Sequence, residues 1–429
     1  MRQIDLSRPE LALNGGTPVR RRPWADNFTT GAEEKEAVMR VLDSGYLSKF
    51  EGSHTPDPPF SFYGGPEVQA LESEWCEYYG CRHAISMNSA TSGLFASIGS
   101  LGLGLGDEVI VSPYTMTACA LAPLIYGAIP VFADVEETTG CLDPDSIERN
   151  ISSRTRAILV VHQFGIPADM DRIMALAKKH DLKVVEDCAQ AHSAEYQGTF
   201  VGMLGHIGVF SLNVNKSIQS GEGGVCITAD DDVAYRLALI RNHGEAVVGP
   251  ANYQNITNIA GFNFRLTELQ AAIAREQLKK LEGLNCHRLE LVEGLSGRLR
   301  DHAFLYPPTG RDGCKSTYYV YPIRFDPEKV DITREQFVSA VNAEGVKFYQ
   351  GYVEPLYLQP LYQKQQLLKH GFPFAAPENR DHNGRYDRGI CPVTESLYFR
   401  KMIINEHVRW PQSKQDIDDL VYAIEKVTG

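Results

Sequence analysis

From Glu67 onward the chain settles into a rhythm of short apolar runs separated by longer stretches in which apolar positions recur with helical spacing. The runs "HAISMNS", "DEVIVSP", "IPVFADV", "TRAILVVHQFG" and "LKVVEDC" predict strands, most of them buried on both faces. Between them "EVQALESEWCEYYG", "ATSGLFASIGSLGL", "TMTACALAPLIYG", "DPDSIERNI" and "MDRIMALAKKHD" predict helices, and "IGVFSLN" and "GGVCITA" follow as paired short strands. Strands alternating with helices in this way predict an α/β fold with a mostly parallel sheet sandwiched by helices. Ligands of such sheets bind beyond the carboxyl ends of the strands. Chemistry is therefore sought after "ISM", "VIV", "VVHQF", "VVED" and "VFS".

The rhythm is different at either end. Residues 1–65 mix a helical stretch, "GAEEKEAVMRVLDSG", with the Pro- and Gly-rich "EGSHTPDPPFSFYGGP", and read as an N-terminal arm with a substrate-side loop. Residues 66–285 read as one large domain. The long helical stretch beginning "FRLTELQAAIAREQLKKLEG" bridges to a smaller C-terminal α+β domain, residues 286–429, with a strand in "STYYVYPIRFD" and helices in "TREQFVSAVNAEG" and "SKQDIDDLVYAIEKV". A chain of 429 residues exceeds what one core usually serves, which agrees with this division.

Composition narrows the function classes. A formal net charge of -12 argues against a nucleic-acid or anionic-membrane surface and leaves a small molecule as the expected partner. No run approaches the ~20 apolar residues that span a bilayer, and the polar start "MRQIDLSRPELALNGG" does not read as a signal peptide, so a cytoplasmic location is expected. The nine cysteines form no CxxC pair, and no metal site is expected.

Three strand ends carry candidate chemistry. In "FSLNVNKSIQSGEGG" Lys216 precedes its glycines, the reverse of a Walker-type phosphate loop, which leaves a covalent catalyst or a surface charge. Asp187 ends a buried run in "VVEDCAQAH", as a helix cap or as the partner of a cation such as a protonated pyridine nitrogen. "NSATSG", from Asn88 to Gly93, is a plain helix cap or an anion cup in which free N–H groups and the helix dipole hold a phosphate. Ser211 can add a hydroxyl to the same phosphate.

Together "NSATSGLFASIGSLGLGLGDEVIV", "VVEDCAQAHSAEYQG", "GVFSLNVNKSIQSGEGGV", "LIRNHGE" and "GFNFRLTELQAAI" resemble the DegT/DnrJ/EryC1/StrS family, fold-type I aminotransferases of sugars and cyclitols that depend on pyridoxal 5'-phosphate. The resemblance implies that Lys216 bonds the cofactor aldehyde and that Asp187 pairs with its ring nitrogen. It further implies that Gln190 lies near the ring hydroxyl and that Ala90, Thr91 and Ser211 bind the phosphate. Asn263 in "GFNFRL" would reach the cofactor of a neighbouring subunit, implying a homodimer with shared sites. Two departures stand out: Met116 occupies the position of a stacking aromatic ring, and Tyr357 in "EPLYLQP" replaces a histidine. The implied reaction moves an amino group from glutamate or glutamine to a keto sugar or keto cyclitol, in biosynthesis of the antibiotic type. A sugar dehydratase, an aminohydroxybenzoate-type synthase and a non-catalytic sensor are the alternatives on this scaffold. The insertion from Lys49 to Gly65, with Phe62 and Tyr63 among its aromatics, is expected either to cover the substrate mouth or to be a surface loop.

Overall fold

Seven strands form the central sheet: β1 (His83–Met87), β2 (Glu108–Val111), β3 (Ile129–Phe132), β4 (Thr155–Val161), β5 (Lys183–Asp187), β6 (Ile207–Ser211) and β7 (Gly224–Thr228). The structure is a computed structural model that describes residues 1–53 and 59–429. The strand order is β1-β7-β6-β5-β4-β2-β3, and only β7 runs against its neighbours. Every residue of β2, β3, β6 and β7 is buried, in keeping with their mostly apolar character once helices cover both faces. Because β1 points the same way as β6, the carboxyl ends of β1, β2, β4, β5 and β6 share one edge. The loops singled out from the sequence therefore meet along a single rim.

The helices begin where the sequence offers caps. Ser89 accepts from the Ser92 N–H ahead of Ala90–Ser100, and Asp169 accepts from the Arg172 N–H ahead of Met170–His180. Thr267 and Gln270 form a reciprocal capping box at the start of Glu268–Leu299. This long helix serves two cores. Ala271, Ala274, Leu278 and Leu281 pack under the central sheet, while Leu291, Val292, Leu295 and Leu299 pack against a second, antiparallel sheet. That sheet has the order Leu305–Tyr306, Tyr321–Phe325, Met402–Asn405, Tyr349–Gln350.

Three features differ from the pattern reading. A helix over Asp231–Arg241 was not legible, because it is buried on nearly all sides from Ala234 to Arg241 and so shows no clean apolar stripe. The first residues are not a free arm: Ile4 and Leu11 join the core of the second sheet, and the Arg2 N–H donates to the Lys329 carbonyl. Conversely, Leu356, Tyr357, Tyr362, Phe374 and Tyr386, expected in the smaller unit, pack into the core of the central sheet around Phe132.

The helix Ala90–Ser100 is anchored at its far end by Arg236. This guanidinium is buried and donates to the carbonyls of Gly99, Ser100, Asn255 and Thr257. It neutralises the negative end of the Ala90–Ser100 helix and ties a loop to it. Arg236→Met is expected to destabilise the fold by about 3 kcal/mol, since the buried carbonyls of Gly99 and Ser100 lose their donor and the loop carbonyls of Asn255 and Thr257 lose their tie at once. The midpoint of urea unfolding checks this, and a shift near zero would show that the carbonyls find other donors.

Candidate active site

The carboxyl rim brings Lys216 to the end of β6 through a tight loop. Beyond Ser211 the chain folds back, with the Leu212 N–H donating to Gly223, the Ser220 N–H to Leu212 and the Lys216 N–H to Asn213 at 3.0 Å. The glycine cluster is needed by this closeness: a Cβ on Gly224 would stand 2.6 Å from the Ala90 nitrogen. "GEGG" therefore lets the lysine loop lie against the start of the Ala90–Ser100 helix. The Lys216 side chain is 9% exposed, and its Nζ lies 4.4 Å from the centre of the Tyr319 ring. Among the described residues it makes no hydrogen bond. Burial lowers its pKa from the ordinary lysine value, and the charge of Asp187 works against that shift. The outcome is a lysine with more free amine near neutral pH than an exposed one, the form that attacks a carbonyl.

Asp187 ends β5 and is 5% exposed. Its Oδ1 accepts the Ala189 N–H at 2.9 Å, and its Oδ2 accepts the Cys119 S–H at 3.0 Å. Burial, together with that neighbouring carboxylate, raises the Cys119 thiol far above its ordinary pKa, so it stays a donor. The preceding Glu186, fully buried, accepts from the N–H groups of Gly202, Leu204 and Gly205 and from His162 Nε2. This knot fixes the strand end from which Asp187 projects.

The other expected residues lie as follows. Gln190 is buried, with Oε1 accepting the Phe164 N–H at 2.9 Å and Nε2 donating to the Tyr352 hydroxyl at 3.0 Å. Ser211 Oγ accepts the Asn213 N–H at 3.3 Å, which leaves its own proton to offer. Ala90 and exposed Thr91 open the capped helix, and their N–H groups have no acceptor among the described residues. Met116, in the loop after β2, is 54% exposed. Asn263 is exposed and bridges only through its backbone, to Asn242 and to Asn88.

The three residues expected on the acceptor side lie apart from the lysine loop in different surroundings. Tyr357 is fully buried, and its hydroxyl donates to Glu395 Oε1 at 2.6 Å, so neither ring nor hydroxyl is free for a ligand. Phe62 is a core residue at 5% exposure, edge-on to Tyr63. Tyr63 is exposed but lines a cavity of about 300 Å³ with His83, Asp231 and Tyr235, beside the amino end of β1 and away from the rim. In the insertion, Phe50 and Ser61 form a bridge and Asn242 Nδ2 holds the carbonyls of Glu51 and Phe62. Residues 54–58 of it lie outside the described residues, and the idea that the insertion covers the substrate mouth falls partly on them.

Three participants were not found from the sequence: Tyr319 under the lysine, Cys119 against Asp187 and Tyr352 against Gln190. The doubled tyrosine of "STYYVYPIRFD" read as strand, and Cys119 as one more packed thiol. No local pattern marks contacts made across the fold.

The model of the DegT/DnrJ/EryC1/StrS aminotransferase family matches residues 60–379. An L-glutamine:2-deoxy-scyllo-inosose aminotransferase of Streptomyces lividus is 37% identical over 73% of this chain and 74% of its own. A protein of the same name from Streptoalloteichus tenebrarius is 32% identical over 97% of each chain. Among solved structures, an aminotransferase from Psychrobacter cryohalolentis superposes with a TM-score of 0.80 at 29% identity, covering 94% of this chain and 98% of that one.

Proposed function

This chain belongs to the DegT/DnrJ/EryC1/StrS aminotransferase family, and from that premise we propose that it transfers the amino group of glutamine to a keto cyclitol of the 2-deoxy-scyllo-inosose kind. The protein is an aminotransferase of a pyridoxal phosphate-dependent family. The observation that carries the reading is a buried, hydrogen-bond-free Lys216 amine whose pKa burial lowers, with Asp187 as its opposing charge on the adjacent strand.

The residues present suit pyridoxal phosphate. The Lys216 amine is free to bond an aldehyde, Asp187 supplies a carboxylate for a pyridinium N–H, and two uncommitted N–H groups with the Ser211 hydroxyl suit a phosphate. When bound, the cofactor would act as an electron sink for the charge left when the amino donor loses its Cα proton. The protein's own part is then proton handling and orientation. Lys216 Nζ takes that proton and returns it to the neighbouring carbon, the task its lowered pKa favours. The Cys119 thiol and the Ala189 N–H fix the Asp187 carboxylate in direction. Met116 offers a polarizable thioether at the position where the family resemblance implies a stacked ring. The exposed Asn263 would serve a second copy's site, so the working unit is a homodimer. Among the described residues no helix is long and apolar enough to cross a membrane, which suits an enzyme of dissolved metabolites.

The test is a two-stage incubation of purified holoprotein. L-Glutamine should convert the cofactor to its amine form, and 2-deoxy-scyllo-inosose should then restore it while 2-deoxy-scyllo-inosamine accumulates. Product only from nucleotide-linked keto sugars, with none from cyclitol ketones, would overturn the cyclitol reading.

A further inference from the structure

Two arginines converge on Lys216 without an ion-pair partner. Arg288, on the helix Glu268–Leu299, is 3% exposed; its Nη1 donates to Ser217 Oγ at 2.8 Å and Asn285 Oδ1 at 3.4 Å, and its Nε has no acceptor. Arg409, in the turn after Met402–Asn405, is half-buried and donates from Nη1 to the Asn215 carbonyl at 3.3 Å. Asn215 and Ser217 are the two neighbours of Lys216 in the chain, so the guanidinium groups bracket the lysine. Tyr319, whose ring faces Lys216 Nζ, feels both arginine charges at its phenol. Among the described residues neither guanidinium lies within ion-pair distance of a carboxylate; exposed Glu406 attracts Arg409 only from farther off. Burial and the like charge of Arg409 lower the Arg288 pKa to about 10.

A cation held as deep as Arg288, with a second one beside it and no counter-charge, is costly unless an anion completes the site. The proposed reaction brings two anions. The cofactor phosphate would take the cup at Ala90, Thr91 and Ser211, which leaves the α-carboxylate of the amino donor; the cyclitol acceptor carries no charge. We infer that Arg409 receives the carboxylate of the amino-acid donor, with Arg288 as a positioning residue that holds the Lys216 loop through Ser217. The inference rests on the aminotransferase reading above. Arg409 is the reachable partner of the two, and its planar fork matches a carboxylate with two parallel hydrogen bonds. Its single bond to a backbone carbonyl lets it turn toward donor and away again when the uncharged acceptor enters the same site.

The experiment compares wild-type holoprotein with Arg409→Gln and Arg409→Lys in two half-reactions, followed by cofactor absorbance. One uses L-glutamine; the other runs the second half in reverse with 2-deoxy-scyllo-inosamine, an amine without a carboxylate. In Arg409→Gln the L-glutamine concentration giving half-maximal rate should rise about 10- to 100-fold, the worth of a charged hydrogen-bond pair, with the aminocyclitol half-reaction nearly unchanged; Arg409→Lys should recover part of the loss. Calorimetric titration with glutarate, which cannot react, should show the same weakening. Equal losses with both amines, or unchanged L-glutamine and glutarate affinity, would overturn the assignment. Weakening confined to a nucleotide-linked sugar would assign the pair to a phosphate and overturn it too. If the wild type converts with no amine at all, the aminotransferase reading fails, while the glutarate comparison still decides whether Arg409 binds carboxylates.

Discussion

Replacing Lys216 by alanine is expected to lower turnover at least about 10⁴-fold, the upper range for a positioned proton-transfer group, and to abolish the absorbance band of lysine-bound pyridoxal phosphate. The side chain is 9% exposed and lies against the Tyr319 ring rather than against an acceptor. A lysine so placed costs folding energy, because its charged form gives up water and receives only the distant attraction of Asp187. Removal of the amine should therefore leave the melting temperature level or slightly higher while chemistry disappears. That opposition of stability and activity is what separates a retained reactive group from a packing residue. Absorbance spectra and thermal melts of the two purified proteins decide the matter, and an unchanged band in Lys216→Ala would show that the cofactor is bonded elsewhere.

Asp187→Asn should have the next largest effect, a loss of about 10²-fold or more in turnover. Asparagine keeps the shape and its oxygen can still accept from Ala189, but its amide nitrogen can only donate toward Cys119, and it carries no charge to hold a ring nitrogen protonated. The same change acts on Lys216. Burial lowers the lysine pKa and the Asp187 charge raises it, so neutralising Asp187 leaves burial unopposed and the pKa falls further. The acidic limb of the rate profile, where Lys216 must give up its proton, should accordingly move to lower pH in the variant. Rates of the glutamine half-reaction across pH provide the check. A profile that keeps its limb and its height would remove Asp187 from the chemistry.

The alternation of strand and helix was legible because the strands of a sheet covered on both faces are near-continuous apolar runs, a property of consecutive residues. Asp231–Arg241 escaped the same reading because burial from all sides erases the stripe on which helix recognition depends. Lys216, Asp187 and Thr91 stood out as polar residues at strand ends, where short local segments report their own position. Tyr357 was misplaced for the opposite reason: its segment leaves the small sheet and packs on Phe132 of the large one, an encounter that nothing near it in the chain announces.

What the sequence by itself determined is therefore the order of elements, the edge at which their loops meet and the lysine, aspartate and capped Asn88–Gly93 turn that line it. These follow from hydrophobic periodicity and from residues close together in the chain. The tertiary structure alone decided which distant side chains adjust that chemistry: Tyr319 beneath the lysine, Cys119 on the aspartate, and Arg288 and Arg409 around the lysine loop. Burial and Coulomb interactions depend on distance in space, and the chain brings those residues together only when both sheets close around the long helix.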